Sequence, residues 1–157
     1  MAEGSHALSA LLPRLAIRVG VEAADWRAAV TAAGDVLVSS GATAPAYTGE
    51  MIAAIEQMGA YMVIAPGIAL PHARPSPAVL RAGLSVVTLA RPVHFGHPQN
   101  DPVTLVIALA APDSRSHTQA LATLAGLLAD EPRRTALLRA GRPEEILAVV
   151  ETYEERI

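Results

Sequence analysis

The chain has 157 residues, a formal net charge of −3 and no cysteine, enough length for one substantial core and no means of forming a disulfide or using a thiol in catalysis. Every basic residue is an arginine, aromatics are 3% of the chain and no basic cluster occurs, so the residues that neutralise phosphates and stack on bases are missing and a nucleic-acid partner is not expected. No run of about 18 apolar residues and no secretory leader pattern appears, so the expectation is a cytoplasmic chain that does not insert into the membrane.

Met1 to Ser5 are expected to be disordered. Leu8 to Leu12 reads as a short helix and Leu15 to Val19 as a strand. Over Val21 to Ser40, Trp26, Val30, Ala33 and Leu37 recur at helical spacing until Gly41 ends the run. A second helix follows at once: Thr43 is placed to cap it, Pro45 suits its first turn, and Tyr47, Met51, Ile55 and Met58 share a face that reads as core. Tyr61 to Ile64 and Ile68 to Leu70 read as short extended pieces around the turn Ala65-Pro66-Gly67. Gly83 to Ala90 and Val103 to Ala110 are near-continuous apolar runs, the pattern of strands covered on both faces. After Ala111 the chain turns helical to its end, with Glu131-Pro132 and Arg142-Pro143 each opening a short helix. The expected fold over residues 1–157 is an α/β single-domain sandwich, a mixed sheet of about five strands flanked by helices on both faces.

The segment Ala65-Pro-Gly-Ile-Ala-Leu-Pro-His-Ala-Arg-Pro75 carries the chemistry. Prolines and a glycine fix the backbone around His72, which stands where an extended piece gives way to a loop, and Arg74 two residues on suits an anion. Farther along, Asp113 or Ser114 can cap a helix with His117 in its first turn, near backbone N–H groups that favour negative charge. Apolar residues at 120, 121, 124, 127 and 128 predict that His117 faces inward. His94 and His97 form a His-x-x-His pair that, with His72 and His117, could be drawn as a zinc site. They lie in a Pro- and Gly-rich loop where nothing turns both rings toward one point, so no metal is expected and the loop is read as walling the active site or meeting a partner.

Gly67-Ile-Ala-Leu-Pro-His-Ala-Arg74 resembles the active-site signature of the enzyme IIA proteins of the bacterial sugar phosphotransferase system, mannitol/fructose superfamily. Pro92 to Val103, followed by Leu105 to Ala111 and Asp113-Ser-Arg-Ser-His117, is similar to the ascorbate-type branch. The resemblance runs from about Tyr47 to the C-terminus. It implies a phosphotransferase component in which His72 accepts a phosphoryl group from the histidine-containing phosphocarrier protein and passes it to a cysteine of enzyme IIB, for uptake of an ascorbate-like sugar. The alternative is a regulatory homologue that signals by phosphohistidine without feeding a transporter. It further implies that His117 stabilises the phosphoryl group. One departure stands out: mannitol- and fructose-type members carry an arginine in the helix before the active-site strand, and Glu50 to Glu56 has none, with Ala54 about where it would be. Arg74 is expected to supply part of that charge as a phosphate-binding group. A neutral imidazole has one nucleophilic nitrogen when the other is held as a donor, so His72 is predicted to donate Nδ1–H to a backbone carbonyl and attack through Nε2, with no cofactor. The oligomeric state is open, a homodimer being one option.

Overall fold

A computed structural model describes residues 8–154, so the expectation for Met1 to Ser5 lies outside the described residues. The elements follow as α1 (Leu8–Leu11), β1 (Ile17–Val21), α2 (Trp26–Ser39), α3 (Ala46–Met58), β2 (Val63–Ala65), β3 (Ile68–Ala69), β4 (Gly83–Val93), β5 (Val103–Ala110), α4 (Ser114–Ala129), α5 (Glu131–Arg139) and α6 (Pro143–Glu154).

β4 and β5 form the antiparallel centre of a sheet ordered β1-β4-β5-β3-β2, in register from Gly83↔Ala110 to Thr88↔Leu105. β1 joins β4 and β3 joins β5 in parallel, while β2 and β3 pair antiparallel across the Pro66-Gly67 turn, where Gly67 takes a φ of 80°. The sheet is therefore mixed. β5 is buried at nearly every position, and because successive side chains point to opposite faces, both faces are covered. α2 packs on β4 and β5 and against α3. The remaining helices touch one another in sequence, with α1 on β4, α5 on β5 and α6 on β1. The expected α/β sandwich is present around one core cluster, where each fully buried Leu, Ile or Val contributes roughly 1.5–3 kcal/mol.

α2 begins at a cap, Asp25, whose carboxylate accepts the Ala28 N–H at 2.9 Å, and it buries Ala29, Val30, Ala33, Val36 and Leu37 on one stripe. The helix read over Val21 to Ser40 thus starts later, because Val21 still belongs to β1, paired with Leu89. β1 itself sits two residues beyond the expected Leu15 to Val19: a 3₁₀ turn takes Arg14–Ala16, and pairing with β4 sets the register. Thr43 does not cap α3. Its residue bridges to Val79, and α3 opens at Pro45 with no side-chain cap. Of its predicted stripe, Tyr47, Met51 and Ile55 are buried, whereas Met58 is 63% exposed because the helix ends at the rim of a cleft with nothing above it. The extended pieces around Pro66-Gly67 are shorter than expected, since a 3₁₀ turn occupies Ala60–Met62, and β4 runs past Ala90 through a bulge to pair Val93 with Val103. Among the described residues no helix is long and apolar enough to cross a membrane.

Candidate active site

β3 is only two residues long, but the chain beyond it stays beside β5: the Leu109 N–H donates to Pro71 O at 3.1 Å, and His72 bridges to Leu109 in parallel. The Leu70 N–H donates to Met62 O at 2.8 Å, so the peptide before His72 is held from both sides. His72 is partly buried, and its Nδ1 lies 2.8 Å from Leu70 O. A carbonyl can only accept, so Nδ1 is the donor and the neutral ring carries its lone pair on Nε2. This is the hydrogen bond the sequence predicts. Burial lowers the pKa of His72 below 6.5, with the Leu70 carbonyl acting weakly the other way. The result is a ring kept neutral and nucleophilic.

His117 comes from the first turn of α4, where the Asp113 carboxylate accepts the Ser116 N–H at 2.8 Å. Asp113, not Ser114, is the cap. Ala120, Leu124, Leu127 and Leu128 bury the stripe below it, while Leu121 is only partly covered. His117 is partly buried, with Nδ1 enclosed and unpartnered among the described residues, so the ring faces inward on one edge and the cleft on the other. Its centroid lies 5.3 Å from that of His72 at an interplanar angle of 56°. Burial first, then the charge of a protonated His72, lowers the pKa of His117. Tyr61 meets the far side of His72 edge-on at 6.3 Å.

The two rings share the wall of a cleft of about 540 Å³ with Arg74, Glu50, Ala54 and Ser76. Arg74 is exposed, makes no hydrogen bond or ion pair among the described residues, and also borders an adjoining recess with Ser114, His117 and Thr118. Ala54 faces the cleft, so its methyl group is part of this wall. The Glu50 carboxylate accepts the Ser76 hydroxyl at 2.7 Å. The cleft thus presents two imidazoles whose pKa values are lowered and one exposed guanidinium.

The loop with His94 and His97 lies beside the β2–β3 turn. Neither ring lines the cleft, and among the described residues no group of three His, Cys, Asp or Glu gathers to hold a metal. The Asp101 carboxylate accepts the N–H groups of Phe95, Gly96 and His97, and His97 Nδ1 accepts those of Gln99 and Asn100. Asn100 then clamps the β2–β3 turn, donating its side-chain amide to Val63 O at 2.9 Å and accepting the Gly67 N–H at 2.9 Å. The loop steadies the hairpin that leads to His72, and only Asn100 reaches a groove that His72 shares.

Tyr47 and Glu50 lie outside the motif, and Tyr47 read as core. It is fully buried, yet its hydroxyl accepts the Ala73 N–H at 3.0 Å and donates to Leu109 O at 2.7 Å, with Ala73 O at 3.3 Å. Burial pushes its pKa up to about 12. A tyrosine on an otherwise apolar stripe is the available signal, since a buried phenol needs a polar partner.

Residues 10–153 match the family described as phosphoenolpyruvate-dependent sugar phosphotransferase system, EIIA 2. The ascorbate-specific PTS system EIIA component of Escherichia coli (strain K12) is 37% identical over 136 residues, which cover 86% of this chain and 88% of that protein. In solution, the mannitol-specific cryptic phosphotransferase enzyme IIA of Escherichia coli has a similar fold, with a TM-score of 0.83 at 30% identity over 93% of this chain and 99% of that one. The mannitol enzyme IIA of Escherichia coli, in complex with phosphorylated mannitol enzyme IIB, aligns with a TM-score of 0.77 at 26% identity, covering 90% of this chain and 99% of that one. With a matching family profile along nearly its whole length and a relative 37% identical over 86% of it, the chain belongs to the EIIA 2 family and is a phosphoryl-carrying component of a sugar phosphotransferase system.

Proposed function

We propose that His72 is the residue that carries the phosphoryl group, taking it from the histidine-containing phosphocarrier protein and giving it to a cysteine of enzyme IIB in the cytoplasm, in the uptake of an ascorbate-like sugar. The observation that carries this reading is the pairing of His72 with His117 at 5.3 Å while His72 Nδ1 is tied to Leu70 O. In the first step the Nε2 lone pair attacks phosphorus and the donor's P–N bond breaks, its electron pair returning to the donor imidazole. In the second a thiolate of enzyme IIB attacks phosphorus, and the electron pair of the His72 N–P bond returns to Nε2. Such transfers ask the protein mainly for alignment and for stabilisation of the equatorial oxygens, toward which His117 can turn an N–H and Arg74 its positive charge from the same cleft. The acceptor thiol lies outside this sequence, which has no cysteine.

The substrate assignment is supported by the ascorbate-specific relative and by Ala54 in the cleft wall. Enzyme IIB as partner is supported by the mannitol complex, whose enzyme IIA shares this fold.

Incubation with enzyme I, the phosphocarrier protein and labelled phosphoenolpyruvate is expected to place an acid-labile, base-stable label on His72. His72→Ala removes the label; His117→Ala accepts it and passes it on slowly. An ascorbate-type enzyme IIB discharges the labelled chain, and a mannitol-type one does so poorly. Full labelling of His72→Ala would overturn the assignment, and label that no enzyme IIB removes would turn the reading toward a regulatory homologue.

A further inference from the structure

We propose that Tyr47 is the positioning residue of the phosphoryl-accepting histidine, its hydroxyl standing in for a rung of the sheet; this rests on the reading that His72 carries the phosphoryl group. His72 bridges to Leu109 in parallel, and on the near side the ladder is ordinary, the Leu109 N–H donating to Pro71 O at 3.1 Å. The next rung of a parallel ladder would run from the Ala73 N–H to Leu109 O. In its place the Tyr47 hydroxyl accepts from Ala73 at 3.0 Å and donates to Leu109 O at 2.7 Å. A hydroxyl can do both at once, which neither a carbonyl nor an amide can do from one atom.

The inserted oxygen holds residue 73 away from β5 without leaving a buried backbone group unpaired. The chain therefore parts from the sheet directly after His72. The ring folds back onto Leu70 O, and Arg74 leaves toward the cleft. Tyr47 can serve as this spacer because its ring is locked on α3, fully buried beside Met51 on the same face.

Tyr47→Phe keeps the ring and removes the oxygen, so the Ala73 N–H and Leu109 O are free to close the rung and draw His72 toward the strand. Phosphoryl acceptance by the full chain should then fall on the order of 10- to 100-fold in kcat, with KM for the phosphorylated phosphocarrier protein unchanged, because misplacement of a reacting atom lowers the chemical step alone. NMR should show a through-hydrogen-bond coupling between Ala73 nitrogen and the Leu109 carbonyl carbon in Tyr47→Phe and not in the unmodified chain. A folded Tyr47→Phe labelled on His72 at unchanged kcat would overturn the role of Tyr47 alone. Label on another residue of the unmodified chain would overturn the reading beneath it. If Tyr47→Phe does not fold, the coupling measured in the unmodified chain still decides: a direct Ala73–Leu109 coupling there would sink the inserted rung, and its absence would support it.

Discussion

His72 and His117 are the same side chain in two different surroundings. His72 has its Nδ1 spent on Leu70 O, which leaves the lone pair on Nε2, while His117 keeps Nδ1 enclosed and turns its other edge to the cleft. Burial is the main cause that lowers both pKa values below 6.5, so neither ring needs to lose a proton before phosphate arrives. A pH profile follows from that sign. In single turnovers from a preformed phosphorylated donor, the midpoint of the acid fall in label uptake should lie below pH 6.5, where a free imidazole is about half protonated. Half the rate lost at pH 6.5 would mean a ring open to water. His72 was legible in the sequence because prolines and a short motif surround it; Tyr47 was not, because its partners Ala73 and Leu109 are remote in the chain and its spacing alone fits a core stripe.

Two helices start on the same device with different consequences. Asp25 caps α2, which packs on the sheet and lines no part of the cleft, whereas Asp113 caps α4 one turn from His117. Asp25→Ala should cost about 1 kcal/mol in urea unfolding and leave phosphoryl transfer as it was. Asp113→Ala should slow delivery of phosphate to enzyme IIB, since the turn that presents His117 loses its anchor; equal transfer rates in the two variants would contradict this. α3 reaches the site by close approach to α2: a Cβ on Gly34 would overlap the Thr48 hydroxyl. Gly34→Ala should therefore destabilise by roughly 1–3 kcal/mol, with Thr48→Ala restoring part of it when the two are combined, read from urea midpoints. At this scale the apolar runs of β4 and β5 and the stripes of α2 and α4 were readable as local patterns. The bounds of β1 and the exposure of Met58 at the end of α3 were not, because strand pairing placed the first and the open cleft leaves the second uncovered.

The whole molecule records its two depressed histidines in its stability. Unfolded histidines titrate near 6.5, and the folded rings titrate lower, so below 6.5 the unfolded chain binds more protons. The stability linked to these rings is complete above 6.5 and is lost as pH falls through their folded values. Asp113, Glu144 and Glu145, whose pKa values are lowered by hydrogen bonds, add a separate loss only in the more acid carboxylate range. Urea midpoints should thus decline from pH 7 to pH 5, and His72→Ala should flatten that decline; an unchanged slope would show that the ring is not desolvated. Composition, periodicity and one proline-framed motif determined the sandwich class, the main strands and helices and the backbone frame around His72, since each is written in neighbouring residues. Only the tertiary structure decided that the Tyr47 hydroxyl joins Ala73 to Leu109, that Ala54 and Glu50 face the cleft of His72 and His117 and that His94 and His97 do not. Those facts depend on the sheet order β1-β4-β5-β3-β2 and on how helices dock against it, which bring remote parts of the chain together and which no local spacing encodes.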